Sequence, residues 1–201
     1  MKLLDALTYA AQKHGDQKYG DGIPYIKHCS DVVIVLQRFG ISDEDILVAG
    51  ALHDVLEDTD TTSWELEKEF GSRVTKLVEL VSNERFGDVP KLTRKEKHLL
   101  QYPKIATDAD AVLVKLGDRI ANVESGGFIS MYRGEHEYFK ETLQGGYALG
   151  DLHAWREIWG SEMQMWNHLD GLLVKPISEI LADKEEQRKR NMRFAGVRVT
   201  P

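Results

Sequence analysis

Apolar residues recur at helical spacing along almost the whole chain, and strict alternation is nearly absent. Leu3, Leu4, Leu7, Ala10 and Ala11 form a first stripe. A turn follows in GDQKYGDGIPY, marked by Gly15, Gly20, Gly22 and Pro24. Residues 28–39 predict a helix with Val32, Val33, Val35 and Leu36 inward, closed by Gly40. Ser42 reads as the N-cap of one long helix, ISDEDILVAGALHDVLED, whose first turn is acidic as the helix dipole favours. Thr62 or Ser63 starts the next helix, which Gly71 ends, and residues 74–81 form another. A polar helix over 91–101 is expected to stop near Pro103. A buried helix over 108–123 and one over 131–143 come next. A tryptophan-rich helix covers roughly 152–174, and a last helix opened by Pro176 fades into KEEQRKRNMRF. The fold class is all-α, a compact helical bundle.

The chain has 201 residues, enough for one domain with a real core or barely two. Its net charge of −7 argues against duplex nucleic acid or an anionic membrane as main partner, although a site dominated by a metal and local cations still admits anionic nucleotides. Cys29 is the only cysteine, so no intrachain disulfide is possible, and a reducing, cytoplasmic setting is expected. The start, MKLLDALTYAAQKHG, is interrupted by Asp5, Gln12 and Lys13 and is not a signal-peptide core. No apolar run reaches the length of a membrane span.

The candidate chemistry lies in HDVLED, residues 53–58, at the end of an otherwise apolar helix. Consecutive helical residues diverge by about 100°, so His53 and Asp54 flank a wedge that one ion can fill. Glu57 and Asp58 lie one turn on. That much charge beside a core is costly without a cation. His28 stands at a helix start in PYIKH, and Asp118 and Asn122 lie one turn apart in VKLGDRIAN. Alone, His28 reads more readily as a structural histidine and Asp118 as a buried salt-bridge partner. Together, His28, His53, Asp54 and Asp118 supply two imidazoles and two carboxylates, a set suited to Mn²⁺, Fe²⁺, Co²⁺, Ni²⁺ or Zn²⁺ rather than Ca²⁺. Four such ligands leave positions open on a six-coordinate ion, the layout of metal-assisted hydrolysis.

Three segments carry a family resemblance: Q-x-x-x-x-G-x-P-Y-I-x-H (residues 17–28), LHDVLEDT (52–59) followed by EFG (69–71), and VKLGDRIAN (114–122). In order and spacing they resemble the hydrolase domain of the RelA/SpoT-type alarmone enzymes, a branch of the HD superfamily, over roughly residues 6–125. The resemblance implies an all-helical, Mn²⁺-dependent 3′-pyrophosphohydrolase that converts ppGpp to GDP and pyrophosphate. It implies His28, His53, Asp54 and Asp118 as metal ligands, Glu57 and Asp58 as the acid/base pair, and Asn122 as a contact to the substrate sugar. Where the family carries a basic residue that packs on guanine, this chain has Tyr19 after Lys18, which can still stack on a base but reads guanine less well. Cys29 stands where the family has proline. Nothing here resembles the synthetase half of the long alarmone enzymes, so residues 1–125 read as the hydrolase core and 126–201 as a C-terminal helical extension packed on it.

Two other functions stay open. One is an HD phosphohydrolase acting on nucleoside mono- or triphosphates or on ppApp. The other is a non-catalytic nucleotide-binding regulator, against which the complete ligand set and the Glu57–Asp58 pair both count. Lys91, Arg94, Lys95, Lys97 and His98 read as a solvated face or a cationic rim for polyphosphate, and Asn83, Glu84 and Arg85 could serve similarly. Trp155, Trp159, Met163, Trp166, Leu169 and Leu173 read as a core stripe or a homo-oligomer face, and the basic residues from Lys184 onward as a solvated tail.

Overall fold

The computed structural model describes residues 2–20, 22–83, 92–126, 129–145 and 155–174, and these are helical apart from turns and one short hairpin. The fold is all-α. In α1 (Lys2–His14) the buried face is Ala6, Ala10 and His14, at steps of four, so that of the expected stripe Ala10 is fully buried. Leu3 and Leu7 pack beside it, while Leu4 is 59% exposed, because the small alanines let α1 lie close on α3. The turn that follows forms an antiparallel pairing of β1 (Lys18–Tyr19) with β2 (Ile23–Pro24), in the register Lys18↔Pro24 and Tyr19↔Ile23. Gly20 and Gly22 take positive φ there (52° and 84°), which a side chain would strain.

Helix α2 (Ile26–Arg38) buries His28, Cys29, Val32, Val33, Val35 and Leu36. The long helix expected over residues 42–58 is two. Its cap is Asp43, not Ser42: the Asp43 carboxylate accepts from the backbone of Asp45 and Ile46. α3 (Glu44–Leu52) stops at His53, and α4 (Val55–Asp58) is a single turn beyond it. Side chains cause the break by taking backbone acceptors. The His53 ring bonds the Gly50 carbonyl at 2.9 Å, and the Ser82 hydroxyl donates to the His53 carbonyl at 3.1 Å.

A capping box of Thr62 and Glu65 opens α5 (Ser63–Phe70), and Gly71, at φ 90°, separates it from α6 (Ser72–Val81). A second box, Thr93 with Glu96, opens α7 (Arg94–Ile105). That helix runs past Gln101 and carries Pro103 in its last turn, where the proline has no N–H to offer the Leu99 carbonyl. Asp108 caps α8 (Ala109–Glu124), which buries eleven of its sixteen residues, and α9 (Ile129–Gly145) and α10 (Trp155–Val174) pack against it and each other. In α10, Met165, Trp166, Leu169 and Leu173 face the core, whereas Met163 is largely exposed. The side chains of Trp155 and Trp159, the helix expected after Pro176, the basic tail, and Glu84, Arg85 and Lys91 lie outside the described residues. Among the described residues no helix is long and apolar enough to cross a membrane.

The core centres on α2, which contacts both α3 and α8. Two glycines set the spacing. A Cβ on Gly50 would meet Leu36 Cδ1 at 2.7 Å, and one on Gly117 would meet Leu36 Cγ at 3.1 Å. Leu36 is fully buried between them and has nowhere to turn. Gly50→Val should therefore destabilise the fold by about 1–3 kcal/mol, the usual cost of overpacking, measured as a lowered urea midpoint. An unchanged midpoint would show that α2 and α3 can move apart freely.

Candidate active site

Three helices deliver four side chains to one point. His28 stands in the first turn of α2, His53 and Asp54 fill the break after α3, and Asp118 follows Gly117 in the middle of α8. The two imidazole Nε2 atoms are 3.2 Å apart. Asp54 Oδ2 lies 2.8 Å from His53 Nε2 and 3.7 Å from His28 Nε2; Asp118 Oδ1 lies 3.3 Å from His28 Nε2 and 3.7 Å from His53 Nε2. An ion with bonds of about 2.0–2.2 Å would hold neighbouring nitrogen and oxygen ligands about 3 Å apart, which these spacings match. His28, His53 and Asp118 are buried, and their donor atoms form a group able to hold a metal ion.

The surroundings fix the donors. His53 Nδ1–H donates to the Gly50 carbonyl, which aims Nε2 at the cluster. The His28 Nδ1 is buried without a hydrogen-bond partner among the described residues; the Tyr19 ring, stacked on His28 at 4.7 Å and 12°, sets its plane instead. Tyr25 donates its hydroxyl to Asp54 Oδ2 at 2.6 Å. Burial and the Asp54 carboxylate push the Tyr25 phenol far above its ordinary value, so it stays a donor. Burial works against a charged His53, but Asp54 and Asp118 outweigh it and hold this imidazole up at about 9. Burial likewise opposes ionised Asp54 and Asp118, yet His53 beside the first and Lys115 beside the second keep both carboxyls below their usual range. Four polar groups at this spacing thus call for positive charge.

The remaining expected residues have partners of their own or face solvent. Both Glu57 oxygens accept from Asn83, through its side-chain amide at 2.9 and 2.8 Å and its backbone N–H at 3.1 Å. Asp58 accepts from Gln17 Nε2 at 2.8 Å, and Gln17 Oε1 in turn meets His14 Nδ1 at 2.8 Å. Since the Gln17 amide donates to Asp58, its oxygen must accept, so His14 carries its proton on Nδ1. Asn122 donates to Asp118 and accepts the Tyr19 hydroxyl at 2.8 Å; Ser125 Oγ lies 2.8 Å from the same hydroxyl. Tyr19 and Asn122, both expected to meet substrate, therefore meet each other. Lys18 is exposed at the hairpin. On α7 the expected rim divides: Lys95 is exposed, Arg94 is tied to Glu135 at 2.6 Å, and His98 is buried and stacked on Tyr102.

The residues that orient the cluster were partly legible. Tyr25 precedes His28, and Lys115 precedes Asp118, by three positions, and Ser125 follows Asn122 by three, all helical spacings that could have flagged them. Gln17 opens one of the quoted segments and Asn83 was a rim candidate, but their bonds to Asp58 and Glu57 join distant segments that no local pattern pairs.

Two imidazoles and two carboxylates at the meeting of three helices make this a helical protein built around a buried histidine–aspartate centre. Residues 6–133 match the HD domain family model, and the chain belongs to that family. A guanosine-3′,5′-bis(diphosphate) 3′-pyrophosphohydrolase of Aquifex aeolicus is 40% identical over 145 residues, which cover 69% of this chain and 20% of that one. The guanosine-3′,5′-bis(diphosphate) 3′-pyrophosphohydrolase MESH1 of Mus musculus is 42% identical over 125 residues, 61% of this chain and 68% of that one. The chain thus spans about a fifth of the bacterial relative and about two thirds of the mouse one. A solved metazoan ortholog of SpoT, one that hydrolyses ppGpp and plays a role in starvation responses, superposes with a TM-score of 0.63 at 27% identity, covering 84% of this chain and 93% of that one.

The Tyr19 hydroxyl is the only part of that side chain bonded to Asn122 and Ser125. Tyr19→Phe keeps the ring and removes these bonds, so stability should fall by about 0.5–1.5 kcal/mol, the net worth of a hydrogen bond. Chemical denaturation at neutral pH measures this, and a variant as stable as the parent would mean the bonds contribute nothing.

Proposed function

We propose that this protein is a metal-dependent phosphohydrolase that removes pyrophosphate from the 3′ position of guanosine 3′,5′-bis(diphosphate), or of a close alarmone relative, in the cytoplasm. The observation that carries the reading is the convergence of His28, His53, Asp54 and Asp118, with each imidazole Nε2 within 3.7 Å of the other imidazole and of an oxygen of each carboxylate, beside an intact Glu57–Asp58 pair. The names of the relatives supply the substrate.

His28, His53, Asp54 and Asp118 would hold the ion, with Mn²⁺ the proposed occupant given the mixed nitrogen and oxygen set. Once bound, the ion supplies a Lewis acid toward phosphoryl oxygens and makes a nucleophile available at neutral pH. Water adds to the 3′-linked phosphorus, the bond from that phosphorus to the 3′ oxygen breaks, and the departing oxygen takes a proton, giving GDP and pyrophosphate. Glu57 and Asp58 move that proton. Asn83 holds Glu57 through both oxygens, and Gln17 holds Asp58, so each carboxylate is oriented before substrate arrives. Residues up to about 125 form the hydrolase core in this reading, and the C-terminal helices pack on it as an extension.

A second reading, hydrolysis of other nucleotides, is favoured by one observation: the Tyr19 hydroxyl occupies Asn122, so the sugar contact implied by the resemblance requires that bond to open. Lys18 then offers a charge and Tyr19 a flat ring to the base, with little to choose guanine over adenine.

Three outcomes are expected. Mn²⁺ should stabilise the protein by about 2.7 kcal/mol at one hundred times its Kd, and Asp54→Ala should abolish this shift in a thermal melt while keeping helical content. Glu57→Gln and Asp58→Asn should retain the Mn²⁺ shift and lose about 10²–10⁴-fold in kcat; near-parental turnover in both would refute the proton-transfer role. A nucleotide panel with Mn²⁺, comprising ppGpp, ppApp, deoxynucleoside triphosphates and nucleoside monophosphates with products identified, should yield pyrophosphate from the 3′-diphosphates. Cleavage of the mono- or triphosphates alone would select the second reading.

A further inference from the structure

Lys115 lies one turn before Asp118 on α8, and its ammonium donates to Asp118 Oδ2 at 2.9 Å. The other oxygen of the same carboxylate, Oδ1, is the one that faces His28 and His53. The Lys115 side chain is only 15% exposed, so the pair sits largely away from water, where it is little screened. A carboxylate can ligate a cation through one oxygen or through both. An oxygen bonded to an ammonium group is turned away from a second cation.

We infer that Lys115 is a positioning residue that commits Asp118 to ligation through Oδ1 alone. The inference rests on the metal site of the proposed function. Its consequence is a coordination position kept for solvent or for a substrate oxygen, which a two-oxygen Asp118 would fill. Charge adds a second consequence. Two neutral imidazoles and two carboxylates cancel a divalent ion, and Lys115 restores one positive charge beside a site that must receive a polyphosphate. Asn122 completes the arrangement by donating to Oδ1, so both Asp118 oxygens are constrained.

The test uses the full chain loaded with Mn²⁺. Electron paramagnetic resonance in oxygen-17 water counts the exchangeable water molecules on the ion from line broadening. Lys115→Met should show one water fewer than the parent, because the freed Oδ2 joins the ion, and Lys115→Arg, which keeps a cationic donor, should show the parental count. A parental count in Lys115→Met overturns the inference, as does complete loss of Mn²⁺ from that variant at millimolar metal. If Lys115→Met does not fold by circular dichroism, Lys115→Ala is read the same way. Failure of both to fold assigns Lys115 to the scaffold and also overturns the inference. Failure of the parent protein to bind Mn²⁺ withdraws the metal site itself, an outcome distinct from an unchanged water count.

Discussion

Everything at the candidate site depends on how closely α2 approaches α3 and α8, and two missing side chains permit that approach. His28, Val32 and Leu36 lie four residues apart on one buried face of α2. Val32 and Leu36 both lie against Gly50 and Gly117. The same two glycines abut the chemistry: the Gly50 carbonyl takes the His53 ring N–H, and Asp118 follows Gly117 directly. Core packing and donor spacing are thus one constraint. A helix held further out by a methyl group would carry His28 away with it.

Within that frame, electrostatics decides which side chains accompany the cluster. Two carboxylates and two imidazoles near a core are costly to desolvate unless each is bonded. Tyr25 bonds Asp54, Lys115 and Asn122 bond Asp118, and the Gly50 carbonyl bonds His53. Glu57 and Asp58 have separate supports in Asn83 and Gln17. Each of these carboxylates is oriented by a bonded donor, neutral on Asp54, Glu57 and Asp58, and both neutral and cationic on Asp118.

The all-helical class was legible because helical periodicity persists along nearly the whole chain, and the four donors were legible because their motifs are local. His53-Asp54 is a dipeptide, and His28 and Asp118 each lie in a short distinctive segment. What escaped was tertiary. The helix over residues 42–58 looks continuous because its apolar pattern is unbroken, yet Ser82, far away in sequence, takes the carbonyl at the break. Leu4 looked inward because leucine usually is, but alanine at positions 6 and 10 brings a different face of α1 to the core. Tyr19 was legible as a flat ring in the turn before His28; its hydroxyl bonds to Asn122 and Ser125, more than a hundred residues on, were not.

The hairpin between α1 and α2 acts as a ruler. Gln17 at its entrance reaches Asp58, Tyr19 on its first strand lies over His28, and Tyr25 at its exit reaches Asp54. Three contacts to three separate parts of the site are spread over nine residues of chain and fixed in register by one two-residue pairing. A side chain in place of Gly20 or Gly22 strains the hairpin tip but leaves these intervals intact. Insertion or deletion of a single residue breaks the pairing register and shifts at least one contact relative to the others. The segment is therefore constrained in length more strictly than in composition, and natural variation in it would be expected to appear as changes of residue type at fixed spacing.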